Sequence, residues 1–170
     1  MRSSAWKLLP IFVAITVFGL NQPTTSAAIV QWSGNGHWYE LVFDISTFQT
    51  FGQAESEAQN RSHLGMDGYL ATITSAGEKQ FIDDFVLAPN AFPLGGQKAW
   101  IGGSDVSTEG AWRWIHGPEG LEDGGLGRQF WQSDLNPFFP WNGSTTEPDQ
   151  YANWVTFQPG TNPEVSDFLA

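Results

Sequence analysis

The chain has 170 residues, no cysteine, and 18 acidic side chains against seven basic ones, a net charge of −11 with histidine neutral. Aromatic and charged residues each make up 15%, too aromatic for a disordered chain and without the basic stripe that nucleic acid or an anionic membrane surface requires. The lack of cysteine also excludes a thiol nucleophile, a thiolate metal site and any disulfide.

Residues 1–28 read as a secretory signal peptide. Arg2 and Lys7 supply positive charge, Leu8–Leu20 is a 13-residue apolar run, and the polar stretch after it ends in Thr25-Ser26-Ala27-Ala28, with cleavage expected after Ala27 or Ala28. The run is too short for a membrane span and contains Pro10. No second apolar run follows, so no membrane insertion is expected after cleavage, and the protein is predicted to be secreted, extracellular or periplasmic. About 142 residues remain, one domain's worth. They hold five bases against all 18 acids, and eight tryptophans to pack a core without disulfides.

Along the remaining chain, Trp38–Phe43 is an aromatic-rich strand candidate after the turn Gly34-Asn35-Gly36. Thr50-x-x-Gln53 is a capping box opening an amphipathic helix predicted over Phe51–Leu64 and closed by Gly65–Gly68. Tyr69–Thr74 reads as a strand by its β-branched and aromatic content. Ser75-x-x-Glu78 is a second capping box. Phe81, Ile82, Phe85 and Val86 follow at helical spacing, which predicts a helix over Ala76–Leu87 stopped by Pro89. Ala99–Gly103 reads as a buried strand, and Trp112-Arg113-Trp114 alternates as a strand should. Gly117–Gln150 is long and rich in Gly, Pro, Asp and Asn, yet carries Phe130, Trp131, Phe138, Phe139 and Trp141. A linker would not hold five large aromatics, so the stretch is expected to be a folded loop lobe. Ala152–Val155 is a brief strand candidate.

No catalytic pattern emerges. His37, His63 and His116 are isolated, without zinc spacing, and are expected at the surface or hydrogen-bonded. Neither a nucleophile elbow nor a phosphate loop occurs. Asp83-Asp84 is expected on a solvated helix face, and Glu122-Asp123 in the loop lobe is weak evidence for a cation, since Ca²⁺ takes six to eight oxygens.

The order of Tyr69-Leu70-Ala71-Thr72-Ile73-Thr74-Ser75 with Glu78, Trp100-Ile101-Gly102-Gly103, Gly110-Ala111-Trp112-Arg113-Trp114 and Asn153-Trp154 resembles the C-type lectin-like domain. Asn35-Gly36-His37-Trp38-Tyr39 is similar to the opening of bacterial members. The resemblance covers residues 34–170 and implies an α+β fold, with two helices flanking small antiparallel sheets and a long loop lobe carrying the ligand site. Trp100, Trp112 and Trp114 would then be core, while Trp131 and Trp141 are the aromatics to stack on a sugar face. In sugar-binding members Ca²⁺ is held by a tripeptide after the Asn-Trp, a later acid, and an Asn-Asp pair after a C-terminal Trp. Gln158-Pro159-Gly160 takes the tripeptide's place, with Gly160 supplying no side-chain oxygen, and Asp167 falls near the later acid. Glu147-Pro148-Asp149 looks like the tripeptide but precedes Asn153-Trp154. No metal site and no cofactor are therefore expected, because calcium's family ligands are mostly absent. The candidate ligand-binding residues are Trp131, Trp141, Glu147, Asp149, Gln158 and Asp167.

The function expected from the resemblance is that of an exported, non-enzymatic recognition domain binding a carbohydrate or protein ligand. The alternative is a structural or adhesion module packing on a partner chain, with no sugar or calcium bound. In the family, strands beyond a segment like Phe168-Leu169-Ala170 complete the sheet, the last pairing with the first. The sequence therefore predicts that Trp38–Phe43 lacks a partner strand, that the core near Trp100 and Trp112 is incompletely shielded, and that the C-terminal strands are missing through truncation or are supplied by a segment of another chain.

Overall fold

The computed structural model describes residues 12–18, 27–44, 50–88, 99–133 and 145–153. The elements in chain order are β1 (Phe12–Phe18), β2 (Val30–Gln31), β3 (Trp38–Asp44), α1 (Phe51–Gln59), β4 (Ser62–His63), β5 (Met66–Leu70) and α2 (Ala76–Phe81), which continues as a π-helical turn over Ile82–Leu87. Then come β6 (Ala99–Trp100), β7 (Gly103–Ser104), β8 (Ala111–Trp114), two 3₁₀ turns at Glu119–Leu121 and Asp123–Gly125, β9 (Arg128–Gln132) and β10 (Thr145–Thr146).

Two sheets result. The first runs β2-β3-β1-β5-β4, with β6 also paired to β1. The second runs β10-β9-β8-β7 and is antiparallel throughout. This is the expected α+β, C-type lectin-like arrangement, with one difference: β1 lies parallel to both β3 and β5, so the first sheet is mixed. Trp38–Asp44 is accordingly not an open edge in this chain. It pairs with β1 on one side and with β2 on the other. Trp112 is 2% exposed, so the expected gap in its cover is not found, while Trp100 is half-buried against Phe51, edge to face at 5.7 Å.

Alternation along the first sheet sorts its side chains to two faces. Tyr39, Leu41 and Tyr69 point into a main core with Ala71, Ile73, Ile82, Val86, Ile101, Trp112, Trp114 and Phe130. Val42 and Leu70 point the other way, against Ala54 and Ala58 of α1. Trp114 and Phe130 stack at 4.2 Å in the main core.

The first capping box forms in full: Gln53 N donates to Thr50 Oγ1 and Thr50 N donates to Gln53 Oε1. Helix α1 stops at Gln59 rather than Leu64. Leu64 and Gly65 both take left-handed φ (52° and 79°) in the tight turn that joins β4 to β5. The second box forms only by half. Ser75 Oγ accepts from Glu78 N, but the Glu78 carboxylate turns inward to Thr74 and Tyr39. Helix α2 gives way to a π-turn after Phe81, which buries Ile82 and Val86 and leaves Phe85 exposed. The predicted strand Tyr69–Thr74 begins earlier, at Met66, and its ladder ends at Leu70. Ala99–Gly103 divides: Ala99–Trp100 joins the first sheet and Gly103–Ser104 the second. Gly102 makes the step possible, because a Cβ there would lie 2.9 Å from Leu70 O and 3.0 Å from the His116 ring.

The described part of the loop lobe is folded, as expected, and contains a strand, β9, that sequence reading left as loop. The Glu122-Asp123 pair is engaged in ion pairs, Asp123 with Arg113 at 2.7 Å and Glu122 with Arg128 at 2.5 Å. His37 and His116 are buried, not at the surface. Within the strand candidate Ala152–Val155, the described residues Ala152 and Asn153 are irregular.

Candidate ligand-binding site

The second sheet brings two segments of the loop lobe, β9 and β10, together with β8. Trp112 of β8 faces Trp131 of β9, and one step later Arg113 faces Gln129. Phe130 is the extra residue of this bulge and turns into the core. Thr146 of β10 pairs with Trp131, and Glu147 N then donates to Phe130 O.

A polar row results. Arg113 Nη2 donates to Gln129 Oε1 at 2.9 Å, and Gln129 Nε2 donates to Glu147 Oε1 and to Gln132 Oε1, each at 3.0 Å. Arg113 Nη1 reaches Asp123 Oδ2 and Gly127 O. A guanidinium, two carboxamides and a carboxylate thus lie in sequence, planar groups that donate and accept in defined directions. Arg113, Gln129 and Gln132 escaped sequence reading. The signal was partial: in Trp-Arg-Trp a polar side chain alternates with core aromatics, but in Arg-Gln-Phe-Trp-Gln the bulge at Phe130 breaks the alternation, and only register brings the two strands together.

Of the predicted site residues, Trp131 and Glu147 meet at the β9–β10 pairing. Trp131 is half-buried and packs on the main core, so it is partly a core residue rather than a free stacking platform. Asp149 is exposed, at a left-handed φ of 61°, in the turn closed by Gln150 N donating to Glu147 O. Trp141, Gln158 and Asp167 lie outside the described residues. Glu147 and Asp149 do not make a calcium site by themselves. One carboxylate is engaged by Gln129, and no group of three or more acidic or histidine side chains among the described residues could hold a metal; Ca²⁺ needs six to eight oxygens.

A second polar cluster lies under the first sheet. The Glu78 carboxylate, 1% exposed, accepts from Tyr39 Oη, Asn35 Nδ2, Thr74 N and Thr74 Oγ1. Burial pushes its carboxyl above the usual range, against the pull of these bonds. Glu119 is buried nearby, with Thr72 Oγ1 donating at 3.0 Å. Burial likewise holds His37 and His116 below the ordinary histidine value. This cluster is enclosed and ties β3 to α2.

Two helices, two small sheets and a loop lobe that presents a polar row define a C-type lectin-like domain. The chain belongs to that family: the profile of the Lectin C-type domain matches residues 52–167. Among curated proteins it is similar to halomucin of Haloquadratum walsbyi, 39% identical over 127 residues that make up 75% of this chain and 1% of that protein. The chain thus corresponds to a very small part of the relative's length. No solved structure matches it significantly. No helix among the described residues is long and apolar enough to cross a membrane.

Proposed function

We propose that this chain is an exported, non-enzymatic recognition domain that binds a carbohydrate or protein ligand on the face formed by β8, β9 and β10. The observation that carries the reading is the row Arg113–Gln129–Glu147, with Gln132, beside Trp131. Planar amide, guanidinium and carboxylate groups are the ones that pair with ring hydroxyls or with peptide groups. Trp131 and Asp149 border the row, and Trp141, Gln158 and Asp167 remain its further candidates. Family membership supports a binding role. Resemblance to a protein named as a mucin, together with the leader-like residues 1–28, supports a place outside the cell. Calcium has no part in the proposal.

The test is a glycan array probed with the full chain, with and without EDTA, beside Gln129→Ala, Glu147→Ala and, as a remote control, Asp84→Asn. Sugar binding that resists EDTA and is lost in the first two variants alone supports the reading. The second reading, an adhesion module packing on a partner chain, is favoured by the fact that the row's side chains already satisfy one another. Binding to no glycan, with protein association abolished by Gln129→Ala, would favour it.

A further inference from the structure

Helix α1 runs out into Asn60-Arg61-Ser62, an Asn-x-Ser triplet whose middle residue is not proline. Such a triplet is the acceptor sequence for an N-linked glycan in an exported chain. The fold turns its members in two directions. Arg61 reaches inward: Nη1 donates to Glu40, whose side chain is 4% exposed, and Nη2 donates to Glu57, each at 3.0 Å. Asn60 and Ser62, on either side of it, are both exposed. Asn60 is the C-cap of α1, and its backbone N–H closes the helix by donating to Ser56 O and Ala58 O. Its carboxamide and the Ser62 hydroxyl are engaged by no other described residue. Asn35 is the contrast: it heads no such triplet, and its Nδ2 is committed to Tyr39 Oη and Glu78 Oε1. Asn142-Gly143-Ser144 is a second triplet in the sequence and lies outside the described residues.

We propose that Asn60 is a modification site, the acceptor of an N-linked oligosaccharide. The proposal rests on the export reading above, because the donor, an oligosaccharide carried on a polyisoprenyl phosphate, meets only chains that leave the cell. In the transfer a bond forms between Asn60 Nδ2 and the anomeric carbon of the sugar, and the bond from that carbon to the phosphate oxygen breaks. The lipid phosphate leaves, and the amide gives up one of its two protons. No oxidant or reductant is needed. Since the carboxamide has no protein partner, the folded chain carries the sugar without breaking a hydrogen bond. The position also keeps the ligand face open. The first turns of α1 pack toward His116, which follows β8: Phe51 meets its ring and Glu55 lies beside it. The helix has nine residues and is about 13 Å long, so a glycan at its other end stands clear of the polar row. It stands instead at the approach to β4, the end strand of the first sheet, and to the β4–β5 turn that carries Leu64, 72% exposed. A bulky hydrated group there covers an open ladder edge and an apolar tip, features through which sheets associate.

The experiment expresses the full chain in a secreting host that N-glycosylates its exported proteins. The peptide holding Asn60 is read by mass spectrometry from the secreted protein, before and after treatment with a peptide-N-glycosidase. The expected result is an oligosaccharide mass on that peptide, which the enzyme removes while converting the asparagine to aspartate. Asn60→Gln and Ser62→Ala should each abolish the modification, and Ser62→Thr should keep it, because the hydroxyl two residues on is retained. Secreted protein that is bare at Asn60 would overturn the proposal. So would sugar on that peptide that survives Asn60→Gln, or sugar confined to the peptide holding Asn142. A chain retained inside the cell with residues 1–28 intact removes the export reading alone. A proven signal peptide fused ahead of Met1 then decides the acceptor: sugar on Asn60 of the fused protein supports it, and a bare Asn60 sinks it.

Discussion

The hydroxyl of Tyr39 donates to the Glu78 carboxylate across 2.5 Å, tying the second residue of β3 to the first turns of α2 inside the protein. The same carboxylate holds Asn35 in the turn before β3 and Thr74 just before α2. One buried acid therefore fixes three segments that are separated by up to 43 residues in the chain.

Glu78→Ala should destabilise the fold by about 3 kcal/mol or more, because it strands the Tyr39 hydroxyl, the Asn35 amide and the Thr74 N–H in a buried place. Tyr39→Phe should cost about 1 kcal/mol, since the carboxylate keeps its other donors. Denaturant midpoints of both single variants and of the double variant would measure this. Strictly additive losses would mean that the two side chains are not coupled.

Acid should weaken the protein through its histidines. Burial depresses the folded values of His37 and His116, opposed weakly by Glu119 and Glu55 respectively. Their contribution to stability is complete above the ordinary value of 6.5 and is lost as pH falls through the lowered folded values. Glu78, its folded value raised by burial, has the opposite sign: it stabilises most in acid, and that contribution is lost as pH rises through its folded value. Between pH 7.5 and about 5, the change in melting midpoint on acidification should be less negative in His116→Asn than in the parent. An unchanged slope in that variant would remove His116 from the account.

Two glycine substitutions should have opposite signs. Gly127 has φ of 92°, and a Cβ there would lie 2.3 Å from Trp114 O. Gly127→Ala should cost about 2–3 kcal/mol and loosen the turn before β9. Gly52 lies in α1, with nothing within 4 Å of a Cβ, so Gly52→Ala should stabilise by about 0.5–1 kcal/mol. Chemical denaturation of the two variants side by side checks both.

Calcium should add little. Gly160 supplies no side-chain oxygen, and Glu147 is already engaged by Gln129. A weak site contributes only about 0.4 kcal/mol when the free ion equals its Kd. Thermal melts in millimolar CaCl₂ and in EDTA should coincide within about a degree. A rise of several degrees would contradict this and make Glu147, Asp149 and Asp167 the first residues to mutate.

Local chemistry was legible in the sequence. The Thr50–Gln53 box, the helix starts and the Trp112–Trp114 strand follow from side chains within a few residues of one another, because short-range hydrogen bonding and alternation do not depend on the rest of the chain; the family follows from the order of such pieces along it. Tertiary contacts decided the remainder. Glu78 abandons half its capping box because Tyr39 and Asn35, distant in sequence, offer a buried carboxylate better partners. Gln129 and Glu147 become neighbours only through the register of β9 with β10. Phe12–Phe18 add a contact that the sequence did not show. Hydropathy alone reads these residues as a leader, since an apolar run looks the same in a membrane-targeting segment and in a central parallel strand. In the fold the run also pairs with β3 on one side and with β5 and β6 on the other, and those strands lie far from it in the chain.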